Sequence, residues 1–388
     1  MQIIKRPLAQ PELWEKALDG LSEEISAADQ ERFDGIVSEK LADWQQQQIL
    51  EPGSVFPRQE AVLAVHWHPE FVPLPLIEKR LKVMFPGADE ELVIPTQHNE
   101  FVAYRGFTGA EVDCYASGFN RKVQLLLHFP SAKLTGAATL KSILHHTFKY
   151  RSSQLFEFMH AMTKPEEAIV NAAAGETGAS EELVEFTRVN VVKIEQLIDA
   201  GWSSIAQRTL KNKLLRDWFD ALRPEIGDTM AGRIQFYLNA VKRRVKAVFS
   251  LKYFYRASEV IEEARSLGGG VVIPHPEQFW PILLADYDVD GIEVWNPQSR
   301  EYTEFLISVV GRKNRLRRTG ERPMLIFMGD DCHMGEKTKP RALQDSEKSG
   351  REIGLQPAWD DLDLQKKLIM QNVSRHSIIM EYKERLAG

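Results

Sequence analysis

Chemistry-bearing side chains in this sequence of 388 residues fall repeatedly at the ends of short apolar runs. Met324 to Met328 leads into Gly329, Asp330, Asp331, Cys332 and His333. Ala61 to Val65 leads into His66, Trp67 and His68, and Val271 to Ile273 into Pro274, His275 and Pro276. An uninterrupted apolar run of this length reads as a strand buried on both faces. Such strands deliver reactive groups at their carboxyl ends. Residues two apart on an extended backbone point the same way, so His66 with His68, and Asp331 with His333, each offer a pair of donors to one side. Cys332 between the latter two should point away as a small buried residue.

Other runs add to the series. Leu92 to Ile94 precedes Thr96, Gln97, His98 and Asn99, Gly109 and Ala110 precede Glu111, and Lys122 to Leu127 precedes His128. The candidate metal ligands are therefore His66, His68, His98, Glu111, His128, His275, Asp331 and His333. Imidazole and carboxylate donors without a thiolate cluster suit Zn, Mn or Fe at a catalytic rather than a structural site. A carboxylate such as Glu111 can bridge two cations, which at about 3.5–4 Å apart can hold a hydroxide nucleophile and neutralise a phosphoryl oxygen. Glu111, Asp331 and His98 are expected to serve the reaction as well as hold metal. Glu293 either orients a ligand or substrate or is a structural carboxylate. His145, His146 and His160 fall in helical segments and read as non-functional, and His376 reads as a surface residue.

Seven strand candidates must position these groups: 61–65, 92–95, 109–113, 122–128, 271–276, 290–296 and 324–328. Around them the texture is helical. Helix signals cover 11–50 and end in the Gln45 to Gln48 run, and long helical segments fill about 140–266, with 171–180 expected as a loop between two of them. Gly268 to Gly270 stops the last of these helices. The expected organisation is a helical extension over 1–58, a main domain over 59–335 interrupted by a helical insertion at 140–266, and a polar extension over 336–388 with no cluster of ligands. The basic stretch Lys242 to Lys246 reads as a solvated helix face.

Composition bounds the reading further. With 43% hydrophobic and 27% charged residues the chain is an ordinary globular one. Its net charge of -6 gives no strong nucleic-acid signal. Two cysteines, Cys114 and Cys332, make no disulfide framework. The amino-terminal Met1 to Gln10 lacks the apolar core of a signal peptide, and no run is long enough to span a bilayer. A cytoplasmic location without membrane partners is expected.

Taken in order, these motifs resemble the polymerase and histidinol phosphatase (PHP) family of metal-dependent phosphoesterases. His66-Trp67-His68 matches its HxH, Thr96 to Asn99 its TDH-type segment, and Gly109-Ala110-Glu111 its GxE. Gly268 to Pro276, Gly291 to Val294 and Gly329 to His333 follow, the last in place of GSDxH. The resemblance covers about residues 61–335. It implies an α/β fold, a distorted seven-stranded (β/α) barrel of the PHP type with the helical extension and insertion, holding two or three divalent cations. Ala64 and Gln97 stand where the family has Asp, no further His lies between His68 and His98, and Gln124 best matches the family's fourth-strand His. Whether Gln97 and Gln124 abolish a metal position is open at this point. The expected activity is hydrolysis of a small phosphorylated metabolite, nucleotide or oligonucleotide end by a metal-held hydroxide. Two alternatives stand beside it: a C–N hydrolase like the amidohydrolases, and a non-catalytic binding module with a degenerate site.

Overall fold

The computed structural model describes residues 11–388. The amino-terminal stretch read above for the absence of a signal lies outside the described residues. By contact density the chain forms two compact units, one from the residues up to Glu39 with Lys149–Ser250, the other from Lys40–Phe148 with Leu251–Gly388.

The first unit is helical. Leu155, Phe158, Leu183, Trp218 and Tyr237 are among the side chains of its buried core. The stretch expected as a loop at 171–180 is mostly helix, Glu167–Thr177, ending at Gly178 in the left-handed conformation with φ 65°. Three successive alanines, the strongest helix formers, outweigh the small-residue texture that suggested a loop. On the helix Asp228–Val248, Arg243 and Arg244 of the basic stretch both pair with Glu176.

The second unit carries the strands, here β1 (Ala61–Ala64), β2 (Trp67–His68), β3 (Glu90–Val93), β4 (Val102–Tyr104), β5 (Phe107–Ala116), β6 (Arg121–Pro130), β7 (Gly270–Ile273), β8 (Gly291–Trp295), β9 (Leu325–Met328) and β10 (Cys332–His333). They lie in three hydrogen-bonded sheets: β1 parallel to β3, β10 parallel to β2, and a six-stranded mixed sheet in the order β4-β5-β6-β7-β8-β9. None of these sheets closes on itself. The two runs expected as short strands at 109–113 and 122–128 are the centre of a long antiparallel hairpin, β5 with β6, whereas β7, β8 and β9 are parallel and wholly buried. Buried parallel strands read as continuous apolar runs, which is why these three were visible. The Gln45 to Gln48 run lies inside the helix Asp43–Leu50 rather than ending one; Gln45 and Gln48 donate to the carbonyls of Thr338 and Lys339 at 2.9 Å. Among the described residues no helix is long and apolar enough to cross a membrane.

Candidate metal centre

Short β1 breaks off before His66, and the pairing of β2 with β10 sets His68 opposite His333. The Asp331 N–H donates to the His66 carbonyl at 2.9 Å. The segment after β3 joins them because His98 forms an isolated bridge with Glu111 of β5, with Glu111 N–H donating to the Gln97 carbonyl at 3.1 Å. Gly109 is needed for that approach: a Cβ there would lie 2.4 Å from the Pro95 carbonyl oxygen. Four non-glycine residues along these segments, Glu70, Asn99, His275 and Asp331, have positive φ. Strained backbone of this kind persists where surrounding structure over-determines it.

The side chains converge. His68 lies between His98 and His333, stacked on each with ring centroids 4.3 and 4.2 Å apart. Its Nε2 is 3.4 Å from Glu111 Oε2 and 3.6 Å from Asp331 Oδ1. His98 Nδ1 is 2.6 Å from Glu111 Oε2 and His275 Nε2 is 3.6 Å from Glu111 Oε1. His333 Nε2 and His66 Nε2 are 3.4 and 3.7 Å from Asp331 Oδ1. Among the described residues two groups have donor atoms close enough for one ion: His68, His98 and His333, and His66, His68 and Glu111.

Burial makes this arrangement costly without a cation. His66 Nε2, both nitrogens of His68 and His275 Nδ1 are buried without a well-directed hydrogen bond, and the two oxygens of Glu111 meet only ring nitrogens of the cluster. Unsatisfied buried polar atoms are rare and call for an explanation such as a bound ion. The donor set fits a divalent cation on that ground and on its chemistry, imidazole with carboxylate. Electrostatics agree. Burial alone would discharge His66, but Glu293, Asp331 and Glu111 overcome it and hold its pKa up at about 10. His333 is likewise opposed by burial yet raised to about 9 by Asp331 and Glu70. Burial and the neighbouring His333 and His98 push His68 well down. Burial works against charge on Glu111 and Asp331, but the surrounding histidines hold both well below the usual carboxylate range. Protons on His66 and His333 thus balance the carboxylates where divalent cations could do so.

Not every candidate joins the cluster. Both ring nitrogens of His128 are engaged: Nε2–H donates to the Val65 carbonyl at 2.9 Å and Nδ1 accepts the Tyr382 hydroxyl at 2.7 Å. Gln97 accepts the Glu70 N–H at 3.1 Å. Gln124 lies opposite Asp113 in the hairpin. Asp330 turns away from the cluster, accepting the Gly354 N–H at 2.7 Å, and burial raises its carboxyl to about 8. Glu293 does orient a candidate ligand, since its Oε1 meets His66 Nδ1 at 2.7 Å. Reading the sequence missed Glu70, Gln298 and Arg351. Glu70 lies 3.5 Å from His333 Nδ1, and its position two after His68 was the available signal. Gln298 and Arg351 reach Asp331 from segments without any motif.

No family model matches this chain, and no curated protein matches it. Among solved structures, a crystal structure from Bifidobacterium adolescentis, provisionally named a metal-dependent phosphoesterase, aligns with 82% of this chain and 98% of its own at 17% identity and a TM-score of 0.36. A likeness at that score bears on neither fold nor function.

Proposed function

We propose that the chain is a metal-dependent phosphoesterase whose second unit is a distorted barrel of the PHP type, acting on a small phosphorylated metabolite, nucleotide or oligonucleotide end. The observation that carries the reading is the pair of donor groups sharing the buried His68, one completed by His98 and His333, the other by His66 and Glu111. The order of the motifs along the chain supports the same reading.

His66, Glu111 and His275 would hold one cation and His98, His333 and Asp331 a second, with His68, whose neutral ring has a single free lone pair, serving one of the two. Divalent cations in such a site supply Lewis acidity and an activated water for attack on phosphorus. The chain's own part is placement. Glu293 accepts the Nδ1–H of His66 and so favours the tautomer whose Nε2 lone pair is free for a cation. Glu111 presents one oxygen to His68 and His98 and the other to His275, the disposition a bridging carboxylate needs. His333 and His98 are the partly accessible members of a set whose other members are buried. Substrate would therefore approach over those two rings.

Purified protein should contain divalent metal by elemental analysis. With Mn or Zn added it should hydrolyse members of a panel of phosphomonoesters and nucleotides, and lose that activity on His68→Ala with its circular dichroism intact. Metal content with hydrolysis of amides alone would favour the C–N hydrolase. Metal content with neither activity would favour the binding module.

A further inference from the structure

The segment after β10, expected to hold no cluster of ligands, runs behind the candidate metal centre. Arg351, Ile353, Gly354 and Gln356 are buried there, and neighbouring acids of the GDDCH stretch face opposite ways. Asp330 Oδ2 accepts the Gly354 N–H at 2.7 Å, and Gln356 donates to the Leu63 carbonyl at 2.7 Å. Asp331 faces the histidines with Oδ1 only. Its Oδ2 accepts from Arg351 Nη1 at 2.8 Å and from Gln298 Nε2 at 2.6 Å. The same Nη1 lies 3.3 Å from the Asp331 carbonyl oxygen, at a residue whose φ is 44°. Arg351 is 6% exposed, and the thiol of Cys332 donates to its carbonyl at 3.2 Å.

We propose that Arg351 is a positioning residue of the metal centre: together with Gln298 it occupies Oδ2 of Asp331, so that Asp331 can offer a cation only Oδ1. The inference rests on the metal-centre reading above. A free carboxylate rotates and can chelate with both oxygens. One whose second oxygen is saturated by a cationic and a neutral donor is restricted to single-oxygen ligation in one direction. One guanidinium nitrogen, Nη1, contacts the side-chain and main-chain oxygens of Asp331 together, aimed by a rigid planar group that a flexible lysine ammonium does not reproduce. Arg351 thereby steadies both the left-handed backbone of Asp331 and the aim of its carboxylate. Its outer Nη2 is 2.9 Å from Glu347, an exposed residue that need not contribute.

The test is the affinity of the full chain for Mn and Zn, by competition with a chromogenic chelator, with melting of the metal-free protein measured alongside. Arg351→Lys keeps the charge and loses the rigid guanidinium that aims Nη1 at Asp331, and Gln298→Leu removes the other donor to the same oxygen. Each should weaken metal binding, Arg351→Lys by about ten- to a hundredfold. Glu347→Gln should bind as wild type does. If Arg351→Lys and Gln298→Leu bind metal like wild type, or Arg351→Met binds more tightly, positioning by Arg351 is overturned while the metal centre stands. If wild type itself binds no divalent ion, the metal centre fails and this role fails with it. Should Arg351→Lys not fold, Gln298→Leu decides alone.

Discussion

Glu293 and His66 form a wholly buried pair, Oε1 to Nδ1 at 2.7 Å, while the other oxygen of Glu293 accepts the His275 N–H at 3.0 Å. One carboxylate therefore orients the ring of one candidate ligand and the backbone of another. Glu293→Gln preserves size and removes the charge that favours a proton on Nδ1. Metal affinity should fall about ten- to a hundredfold, the usual cost of losing such a partner, in chelator competition. Unchanged affinity would show that the pair is only structural.

Gly329 gives a steric test of the same relationship. A Cβ at this position would lie 2.2 Å from Glu293 Oε1, a distance no real contact tolerates. Gly329→Ala must displace the carboxylate from His66, and overpacking of this kind costs about 1–3 kcal/mol. The variant should lose metal affinity at least as severely as Glu293→Gln and melt below wild type in the metal-free state. Retention of wild-type affinity would mean that Glu293 does not hold His66 in place.

Metal binding should also stabilise the fold, because the buried donor atoms of Glu111 and His68 face only one another and neighbouring candidate ligands. At a free metal concentration a hundred times Kd, a cation binding only the folded state adds about 2.7 kcal/mol. Wild type should therefore melt higher with Mn or Zn and lower after chelation. Glu111→Ala, which removes the carboxylate facing His68, His98 and His275, should show no such rise. A rise equal to that of wild type would place the cation elsewhere.

Legibility followed burial and direction. β7, β8 and β9 stood out because both their faces are buried, and the ligands at their ends could be named from a continuous apolar run. The hairpin of β5 and β6 reads in the sequence as two shorter pieces, since outer residues such as Thr108 and Arg121 are polar and its pairing is a tertiary fact. Glu111 was found by its short glycine motif, yet the reason for Gly109 is the Pro95 carbonyl from a distant segment. Arg351 and Gln298 carry no local pattern, because a residue that acts through another is recognisable only when the two meet in space. The same limit explains His128, which sits at a strand position like those of the ligands but spends both nitrogens on Val65 and Tyr382.

His128 yields a prediction with a definite sign. Only the N–H form of Nε2 can donate to the Val65 carbonyl, and Nδ1 must be unprotonated to accept the Tyr382 hydroxyl, so the folded ring is neutral. Burial lowers its pKa from 6.5 to about 4. An unfolded chain takes up this proton near pH 6.5, the folded one only near pH 4, so the unfolded state holds more protons in between. The contribution is fully present above pH 6.5 and is lost as pH falls towards 4, by an amount on the order of 3 kcal/mol. His128→Gln cannot titrate and keeps an amide donor for the Val65 carbonyl. Urea unfolding of the two proteins at a series of pH values should show wild type losing stability relative to the variant across that window. Parallel stability curves from pH 7 to 4 would mean that the folded ring takes up its proton near pH 6.5 as the unfolded chain does, and the hydrogen bond from Tyr382 to Nδ1 would have to be abandoned.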